Sequence, residues 1–481
     1  MSQLTAPPVI TRGLFLDGKW IETGEALDVQ SPYDQSVIGQ VFHGTKEHAE
    51  AAIRAAVKAF GTTRRLPAFE RQRVLRRVAQ SISERKQEFA RTIAQEAGKP
   101  IRAARTEVDR AVFTFTVAAE ESTRLYGEYL PLDWQEYTAG RWGIVRRFPI
   151  GPIVGITPFN SPLNLVAHKV APAIAAGCPI IVKPAPATPL TSLLLAEAVQ
   201  QAGWPDGGLN VVPLSNEDAG LLVTDDRIKL ISFTGSASVG WAIKRNSGKK
   251  KAILELGGNA GVIVHSDTDI AYAAERCVTG GFSYAGQSCI SVQRILVERS
   301  VYGQFLELFL AAVAKLQTGD PLDESTDVGP LIREADAARA LDWVQEAVRG
   351  GARLLCGGQR RGSLLEPTVL TGTEPEMRVN CEEIFAPVVT VEAYDDVEDA
   401  IRTLNHSSYG LQAGIFTRDA KLLFHAYEEL EIGGLIAGDV PTFRIDHMPY
   451  GGLKDSGMGR EGLRYAIEEM TEPRLLVMNL R

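Results

Sequence analysis

Cysteine is scarce in this chain of 481 residues, which has five in all. The number is odd, and no two cysteines have Cys-x-x-Cys spacing. A disulfide framework and a zinc knuckle are therefore both unexpected. We predict no metal site and a reducing, cytoplasmic location.

Long apolar runs and excess positive charge are also missing. The most apolar stretch, 166–182, is interrupted by His168, Lys169, two prolines and Gly177, so it does not predict a membrane span. The opening "MSQLTAPPVI" lacks the basic and apolar segments of a signal peptide. With 51 Lys and Arg against 59 Asp and Glu, the net charge of -8 argues against nucleic acid or an anionic membrane as the main partner.

The composition that remains is typical of a large globular protein. Hydrophobic residues make up 45% and charged residues 23%, and the length suggests two or three packed units. Residues 45–120 keep apolar side chains at helical spacing, so we predict helices there. From residue 144 onward, short apolar runs alternate with helical segments. This alternation predicts an α/β fold with parallel sheets in two units.

Four segments place one polar side chain each among glycines and prolines beside an apolar run. They are "GITPFNSP" with Asn160, "VKPAPATPL" with Lys183, "LELGGNAG" with Glu255, and "YAGQSC" with Cys289. Ends of parallel strands are where open α/β sheets bind ligands. Each residue alone also has an ordinary explanation, since a lone cysteine is usually a small buried hydrophobe and a lone asparagine a turn residue.

Together these segments resemble the aldehyde dehydrogenase superfamily over essentially the whole chain. The matching motifs, in order, are "PFN", "KPAPATPL", "FTGS", "ELGG", "GQSC", "EEIFAPV" and "PYGGLKDSGMGREG". The resemblance implies a Rossmann-type cofactor domain, an α/β catalytic domain and a small β oligomerisation element. We assign 1–126 and 144–254 to the NAD(P)-binding domain, 255–462 to the catalytic domain, and 127–143 with 463–481 to the oligomerisation element. The resemblance also implies a homodimer or homotetramer.

The family resemblance assigns chemistry to three residues. Cys289 is the expected nucleophile, because a thiolate both attacks an aldehyde carbon and later leaves it. The Asn160 side-chain amide and the Cys289 backbone N–H are the expected donors to the oxyanion. Glu255 is the expected general base that activates water to hydrolyse the thioester.

The same resemblance implies a cofactor site for NADP or NAD. Its expected residues are Ile156, Pro158, Lys183, Pro186, Gly235, Ser236, Glu383 and Phe385. Many NAD-preferring members carry a glutamate where this chain has Pro186. Without that charge a 2′-phosphate is not repelled, and Lys183 can pair with it, so the sequence favours NADP.

For the substrate channel, counting along the family pattern gives Arg110, Ser161, Asn164, His168, Ser288 and Arg444. Two arginines would hold an acidic tail, and succinic semialdehyde is the first candidate. The alternative substrates are neutral aliphatic or aromatic aldehydes, in which case both arginines have only a structural role. His168 either donates a hydrogen bond to the substrate or only packs against its neighbours. A CoA-acylating enzyme is a further alternative, although that branch generally lacks the residue matching Glu255. A non-enzymatic protein on the same fold would be expected to have lost the nucleophile or the base.

Overall fold

The structure, a computed structural model, describes residues 10–24 and 26–479. Outside the described residues lie residues 1–9 and residue 25 of the predicted cofactor domain. The same holds for residues 480 and 481 of the predicted oligomerisation element. Two large sheets, with helices packed on them, make up most of the described chain. The α/β class predicted from the alternating pattern is confirmed.

The first sheet has eight strands, and its five central strands are parallel. The strand Ile153–Ile156 lies in the middle, and the strands that follow it along the chain go to both of its sides. Such a reversal of strand order opens a crevice at the carboxyl ends of the strands, where ligands bind. In spatial order the strands are Gly457–Met458, Lys251–Glu255, Leu230–Thr234, Ile153–Ile156, Ile180–Lys183, Leu209–Val211, Leu14–Leu16 and Lys19–Ile21.

The second sheet has seven strands, and all are parallel to their neighbours except the outermost, Arg353–Cys356. Its spatial order is Arg353–Cys356, Thr368–Thr371, Val388–Tyr394, Val292–Glu298, Ala260–Val264, Gln412–Phe416 and Gly434–Ala437. The chain crosses from the first sheet to the second between residues 255 and 260. That crossing contains the "ELGG" motif and brings Glu255 to the space between the sheets.

A third, antiparallel sheet is formed by Thr471–Asn479, Arg141–Pro149 and Glu128–Pro131. Its outer strand Thr471–Asn479 exposes Leu475, Leu476 and Val477. The smaller sheets are Ile10–Arg12, Val37–Phe42 and Ala26–Gln30; Arg360–Arg361 and Leu364–Leu365; and Tyr409–Gly410 and Leu453–Lys454.

The helices predicted over residues 45–120 are confirmed, and each buries the apolar stripe of its sequence. In Ala68–Glu84, for example, Val74, Leu75, Val78 and Ile82 are buried, because they recur at the helical period on one face. The helices are Lys46–Thr63, Ala68–Glu84, Lys86–Ala97, Ile101–Glu121, Asn164–Ala176, Pro189–Gln201, Gly220–Thr224, Ala237–Asn246, Ile270–Phe282, Arg299–Val313, Glu334–Arg349, Arg378–Cys381, Val397–Asn405, Ala420–Glu429 and Leu463–Glu469, with 3-10 turns at Glu136–Thr138 and Ser283–Gly286. Within the described chain, none of these helices is long and apolar enough to cross a membrane.

Candidate active site

The loop that carries Cys289 has a strained backbone. It follows the helix Ile270–Phe282, and Tyr284 and Ala285 adopt φ angles of 50° and 53°, in the left-handed region that side chains other than glycine rarely enter. At Gly286 a Cβ would lie 2.2 Å from the Ala386 carbonyl oxygen, so only glycine fits there. Packing against the neighbouring segment therefore holds this loop in one conformation, which is typical of functional sites.

Cys289, Glu255 and Asn160 line one cavity of about 340 Å³ between the two large sheets. The three residues come from segments that are far apart in sequence. Glu255 ends a strand, Asn160 lies in the loop after the strand Ile153–Ile156, and Cys289 lies just before the strand Val292–Glu298. The complete lining is Pro158, Phe159, Asn160, Leu165, Thr234, Gly235, Ser236, Glu255, Leu256, Gly257, Cys289, Arg339, Glu383, Phe385, Arg444, Tyr450 and Glu461. The arrangement combines a thiol, a carboxyl group and an amide around a mostly apolar space.

The Cys289 thiol is protonated at neutral pH in this environment. Burial raises its pKa to about 12, although the hydrogen bond with Tyr450 acts in the opposite direction. The Cys289 Sγ and Tyr450 Oη atoms are 3.1 Å apart. The Arg444 guanidinium lies over the Tyr450 ring, 3.7 Å from its centre. Cys289 therefore needs a base, or a change in its surroundings, to become a nucleophile.

Glu255 is buried, with 2% of its surface exposed, and neither carboxyl oxygen has a hydrogen-bond partner among the described residues. Burial, and then the negative charge of Glu461, raise the pKa of Glu255 well above its usual range. Burial alone would also raise the pKa of Glu461, but Lys169 and Arg444 outweigh it and lower that pKa to about 2. The surroundings thus shift the pKa values of two neighbouring carboxyl groups in opposite directions, a common device for assigning acid and base roles.

Asn160 is buried and is anchored to the nucleophile loop. Its Nδ2 atom donates to the Gln287 carbonyl oxygen at 3.0 Å, two residues before Cys289. Its Oδ1 atom has no partner among the described residues. The amide and the thiol are therefore fixed relative to each other by one hydrogen bond.

A second cavity of about 590 Å³ lies at the carboxyl ends of the first sheet. It contains six of the predicted cofactor residues, namely Ile156, Pro158, Lys183, Pro186, Gly235 and Ser236. Pro158, Thr234, Gly235 and Ser236 line both cavities, so the two spaces adjoin. Gly235 and Ser236 lead into the helix Ala237–Asn246, whose first N–H groups have no partner within the helix.

No aspartate or glutamate occurs among the described residues that line this second cavity. Lys183 extends into it and donates from Nζ to Asn216 Oδ1 at 2.9 Å, and burial lowers the pKa of this lysine. Near Pro186 the cavity is therefore neutral or positive.

The two remaining predicted cofactor residues, Glu383 and Phe385, line the smaller cavity with Cys289. Glu383 accepts a hydrogen bond from the Gly258 backbone N–H at 2.9 Å, and burial raises its pKa to about 7. Phe385 has a φ angle of 51° and its ring meets the edge of Phe159, with centroids 5.9 Å apart. A Cβ at Gly257 would lie 2.4 Å from a Glu383 carboxyl oxygen, so a larger residue there would displace this carboxyl group.

The predicted substrate residues do not all line the same cavity. Arg444 lines the cavity that contains Cys289. Arg110, Asn164 and His168 are not in that cavity wall, and all three instead donate to the carboxylate of Asp446. The remaining two are Ser288, directly before the nucleophile, and Ser161, whose Oγ accepts from Lys99 Nζ at 3.2 Å.

Sequence reasoning assigned no role to Tyr450, Glu461, Asp446 or Lys169. Tyr450 and Glu461 lie inside the "PYGG" and "GREG" parts of the last family motif. Asp446 follows Arg444 by two residues, which was the only local signal for it. Lys169, buried in the helix Asn164–Ala176, carried the signal of a charge inside an apolar segment.

Comparisons with known proteins agree with this geometry. Residues 20–476 match the model of the aldehyde dehydrogenase family. A 3-sulfolactaldehyde dehydrogenase of Priestia megaterium is 42% identical over 469 residues, covering 97% of this chain and 98% of that protein. The crystal structure of aldehyde dehydrogenase 21 from Physcomitrella patens, in complex with the reaction product succinate, is 46% identical with a TM-score of 0.97, and the match covers 98% of this chain and 99% of that one.

A further solved structure is glyceraldehyde-3-phosphate dehydrogenase from Methanocaldococcus jannaschii complexed with NADP. It is 39% identical with a TM-score of 0.92, over 95% of this chain and 100% of that chain. The chain therefore belongs to the aldehyde dehydrogenase family, has its fold, and is an NAD(P)-dependent aldehyde dehydrogenase.

Proposed function

We propose that this enzyme oxidises an aldehyde with an acidic tail to the corresponding acid, with succinic semialdehyde as the first candidate and NADP as the favoured cofactor. The observation that carries the proposal is the position of Arg444 in the wall of the Cys289 cavity. A guanidinium is suited to bidentate binding of a carboxylate or sulfonate. The relatives named for 3-sulfolactaldehyde and crystallised with succinate support an acidic substrate.

In the proposed reaction the Cys289 thiol loses its proton to solvent. The sulfur then bonds to the aldehyde carbon while the carbonyl π electrons move to oxygen, which gives the oxyanion of a thiohemiacetal. The Asn160 amide and the Cys289 backbone N–H donate to the resulting oxyanion, and removal of one such donor typically costs about 3 kcal/mol. When bound, NADP would supply an oxidised nicotinamide as hydride acceptor, and loss of the hydride would leave this carbon as a thioester. Glu255 then takes a proton from water, whose oxygen attacks the thioester carbon while the Cys289 sulfur leaves.

The protonation states at rest are compatible with this sequence. The Cys289 thiol keeps its proton because burial raises its pKa to about 12, so attack requires that the proton be removed. The pKa of Glu255 is raised from its usual range toward the pH at which a general base works best. Because neither Glu255 carboxyl oxygen has a hydrogen-bond partner within the described part of the chain, the group is available to contact a water molecule.

The residues present fit a dinucleotide. We assign the larger cavity to the adenosine half, with Lys183 near the ribose and the Ala237–Asn246 helix N-terminus near the pyrophosphate. Glu383 and Phe385 would hold the nicotinamide half in the adjoining cavity. The preference for NADP rests on Pro186 and on the lack of carboxylates among the described lining residues, because a carboxylate beside the ribose would repel a 2′-phosphate.

We also keep three coarser expectations as proposals. The domain boundaries given above are supported by the passage of the chain from the first large sheet to the second between residues 255 and 260. Assembly into a homodimer or homotetramer is supported by the exposed Leu475, Leu476 and Val477 on the outer strand of the third sheet. A cytoplasmic location is supported by the five free cysteines.

The test compares specificity constants of the wild-type enzyme and Arg444→Gln, read by absorbance of the reduced cofactor, for succinic semialdehyde and hexanal. The wild type should prefer succinic semialdehyde by about tenfold or more, because a charge-assisted hydrogen bond is worth about 1.5 to 3 kcal/mol. Arg444→Gln should abolish that preference. The matched control is Arg276→Gln, which should leave the preference unchanged. Arg276 pairs with Asp439, and neither residue lines either cavity. A wild-type preference for hexanal would mean that the arginines are structural.

A further inference from the structure

Each arginine of the predicted acidic-tail site is already paired with a buried carboxylate. Asp446, whose surface is 2% exposed, accepts four hydrogen bonds. Its Oδ2 atom receives Arg110 Nε at 3.2 Å, and its Oδ1 atom receives Arg110 Nη2 at 2.6 Å, His168 Nε2 at 2.8 Å and Asn164 Nδ2 at 3.0 Å. The Arg110 side chain stays 34% exposed, and its Nη1 atom has no partner among the described residues. Asp446 therefore fixes one edge of this guanidinium and leaves the other edge open.

Arg444 is held in a similar way, but deeper. Its Nη2 atom donates to Glu461 Oε2 at 2.9 Å, and Lys169 Nζ donates to Glu461 Oε1 at 3.2 Å. Its Nε atom is buried and has no partner among the described residues. A buried guanidinium N–H without a partner is costly, and an incoming oxyanion would satisfy it.

The two pairs belong to one electrostatic cluster. His168 links them, because it donates to Asp446 while burial and then the charge of Arg444 lower its pKa and keep it neutral. The charged members are Arg110, Arg444 and Lys169 on the positive side, and Asp446 and Glu461 on the negative side. Three positive and two negative charges leave this set of five side chains with a net charge of plus one.

We propose that Asp446 is a positioning residue which adapts the tail site to a singly charged oxyanion, a carboxylate or sulfonate, and against a doubly charged phosphate. A single negative charge neutralises the cluster. A second negative charge would be desolvated without a counter-charge, which is unfavourable in a buried site. The inference rests on the proposed function and adds to it the charge that the tail carries.

The first test needs no variant. The phosphate of glyceraldehyde 3-phosphate loses its second proton near pH 6, so its singly charged form rises from about 3% at pH 7.5 to about 75% at pH 5.5. The carboxylate of succinic semialdehyde stays ionised over this range. The ratio of kcat/KM for glyceraldehyde 3-phosphate to that for succinic semialdehyde should therefore rise about tenfold or more when the pH is lowered. Both aldehydes meet the same enzyme at each pH, so a titration that affects both reactions equally, such as that of Cys289, cancels in the ratio.

The second test changes the charge of the cluster. Asp446→Asn keeps the shape of the side chain and raises the net charge to plus two, so at pH 7.5 the same ratio should increase about tenfold over the wild type. The matched control is Asp395→Asn, which removes a carboxylate from the exposed pair with Arg299 and should leave the ratio unchanged. A merely structural role of Asp446 would lower both specificity constants together and would not move the ratio.

The outcomes separate the two proposals. A wild-type enzyme that prefers hexanal to both charged aldehydes overturns the proposed function, and this inference with it. A preference for acidic aldehydes, combined with a ratio that responds neither to pH nor to Asp446→Asn, overturns this inference alone.

Discussion

The hydrogen bond between Tyr450 and Cys289 allows a direct test of how the thiol is tuned. Tyr450→Phe removes one buried oxygen, 3.1 Å from the Cys289 sulfur, and keeps the ring on which the Arg444 guanidinium lies. The hydroxyl stabilises the thiolate by donating to it, and this bond works against the effect of burial on the pKa of Cys289. Loss of the bond should therefore raise that pKa further.

The size of the effect follows from the strength of one hydrogen bond. A net contribution of about 0.5 to 1.5 kcal/mol corresponds to about 0.4 to 1 pH unit, at 1.36 kcal/mol for each unit. Because the pKa of Cys289 is about 12, the thiolate is a minor species at every pH between 7 and 9.5. Its fraction, and the rate of its reaction, should fall by about 2.5- to 10-fold in the variant at each pH.

The measurement is the rate at which iodoacetamide alkylates Cys289, followed by mass spectrometry of the peptide that contains it. Plots of log rate against pH should be parallel for wild type and variant, with the variant lower. Tyr302→Phe is the matched control, because it loses hydrogen bonds to Thr371 and Val391 outside the cavity. The exposed Cys381 serves as an internal reference. If Cys289 is alkylated at an equal or faster rate in Tyr450→Phe, the Tyr450 hydroxyl does not stabilise the thiolate.

Two further predictions concern the base and the cofactor. Glu255→Gln should retain a burst of one reduced cofactor per active site but lower steady-state turnover by about 100-fold or more, since deacylation loses its general base. Stopped-flow absorbance of the reduced cofactor would measure both quantities. Loss of the burst together with turnover would assign Glu255 another role. Pro186→Glu should shift the ratio of specificity constants for NADP and NAD by about tenfold toward NAD, because the new carboxylate repels the 2′-phosphate. An unchanged ratio would contradict the role given to Pro186.

Local sequence patterns were sufficient for the elements and the family. The apolar spacing in residues 68–84 predicted a helix, and the same residues form its buried face. The separate motifs, taken in order, predicted the aldehyde dehydrogenase family, which the comparisons confirm. Cys289, Glu255 and Asn160 line one cavity as those motifs suggested, while their individual roles remain predictions.

Contacts between distant residues could not be predicted in the same way. Asp446 pairs with Arg110 across 336 positions, and neither residue lies in a recognisable motif. The opposite pKa shifts of Glu255 and Glu461 depend in part on Lys169, whose ammonium group reaches Glu461 from the helix Asn164–Ala176. Such pairings arise from tertiary packing, and no local periodicity reports them.

The central claim is that Cys289 receives the acyl group of an acidic aldehyde, and trapping the thioester tests it most directly. Glu255→Gln enzyme would be mixed with NADP and succinic semialdehyde, quenched in acid, digested and analysed by mass spectrometry. We predict one succinyl group on the peptide that contains Cys289 and none in the double variant Glu255→Gln with Cys289→Ala. Reduction of the cofactor without an acyl group on Cys289, or with the group on another cysteine, would contradict the account.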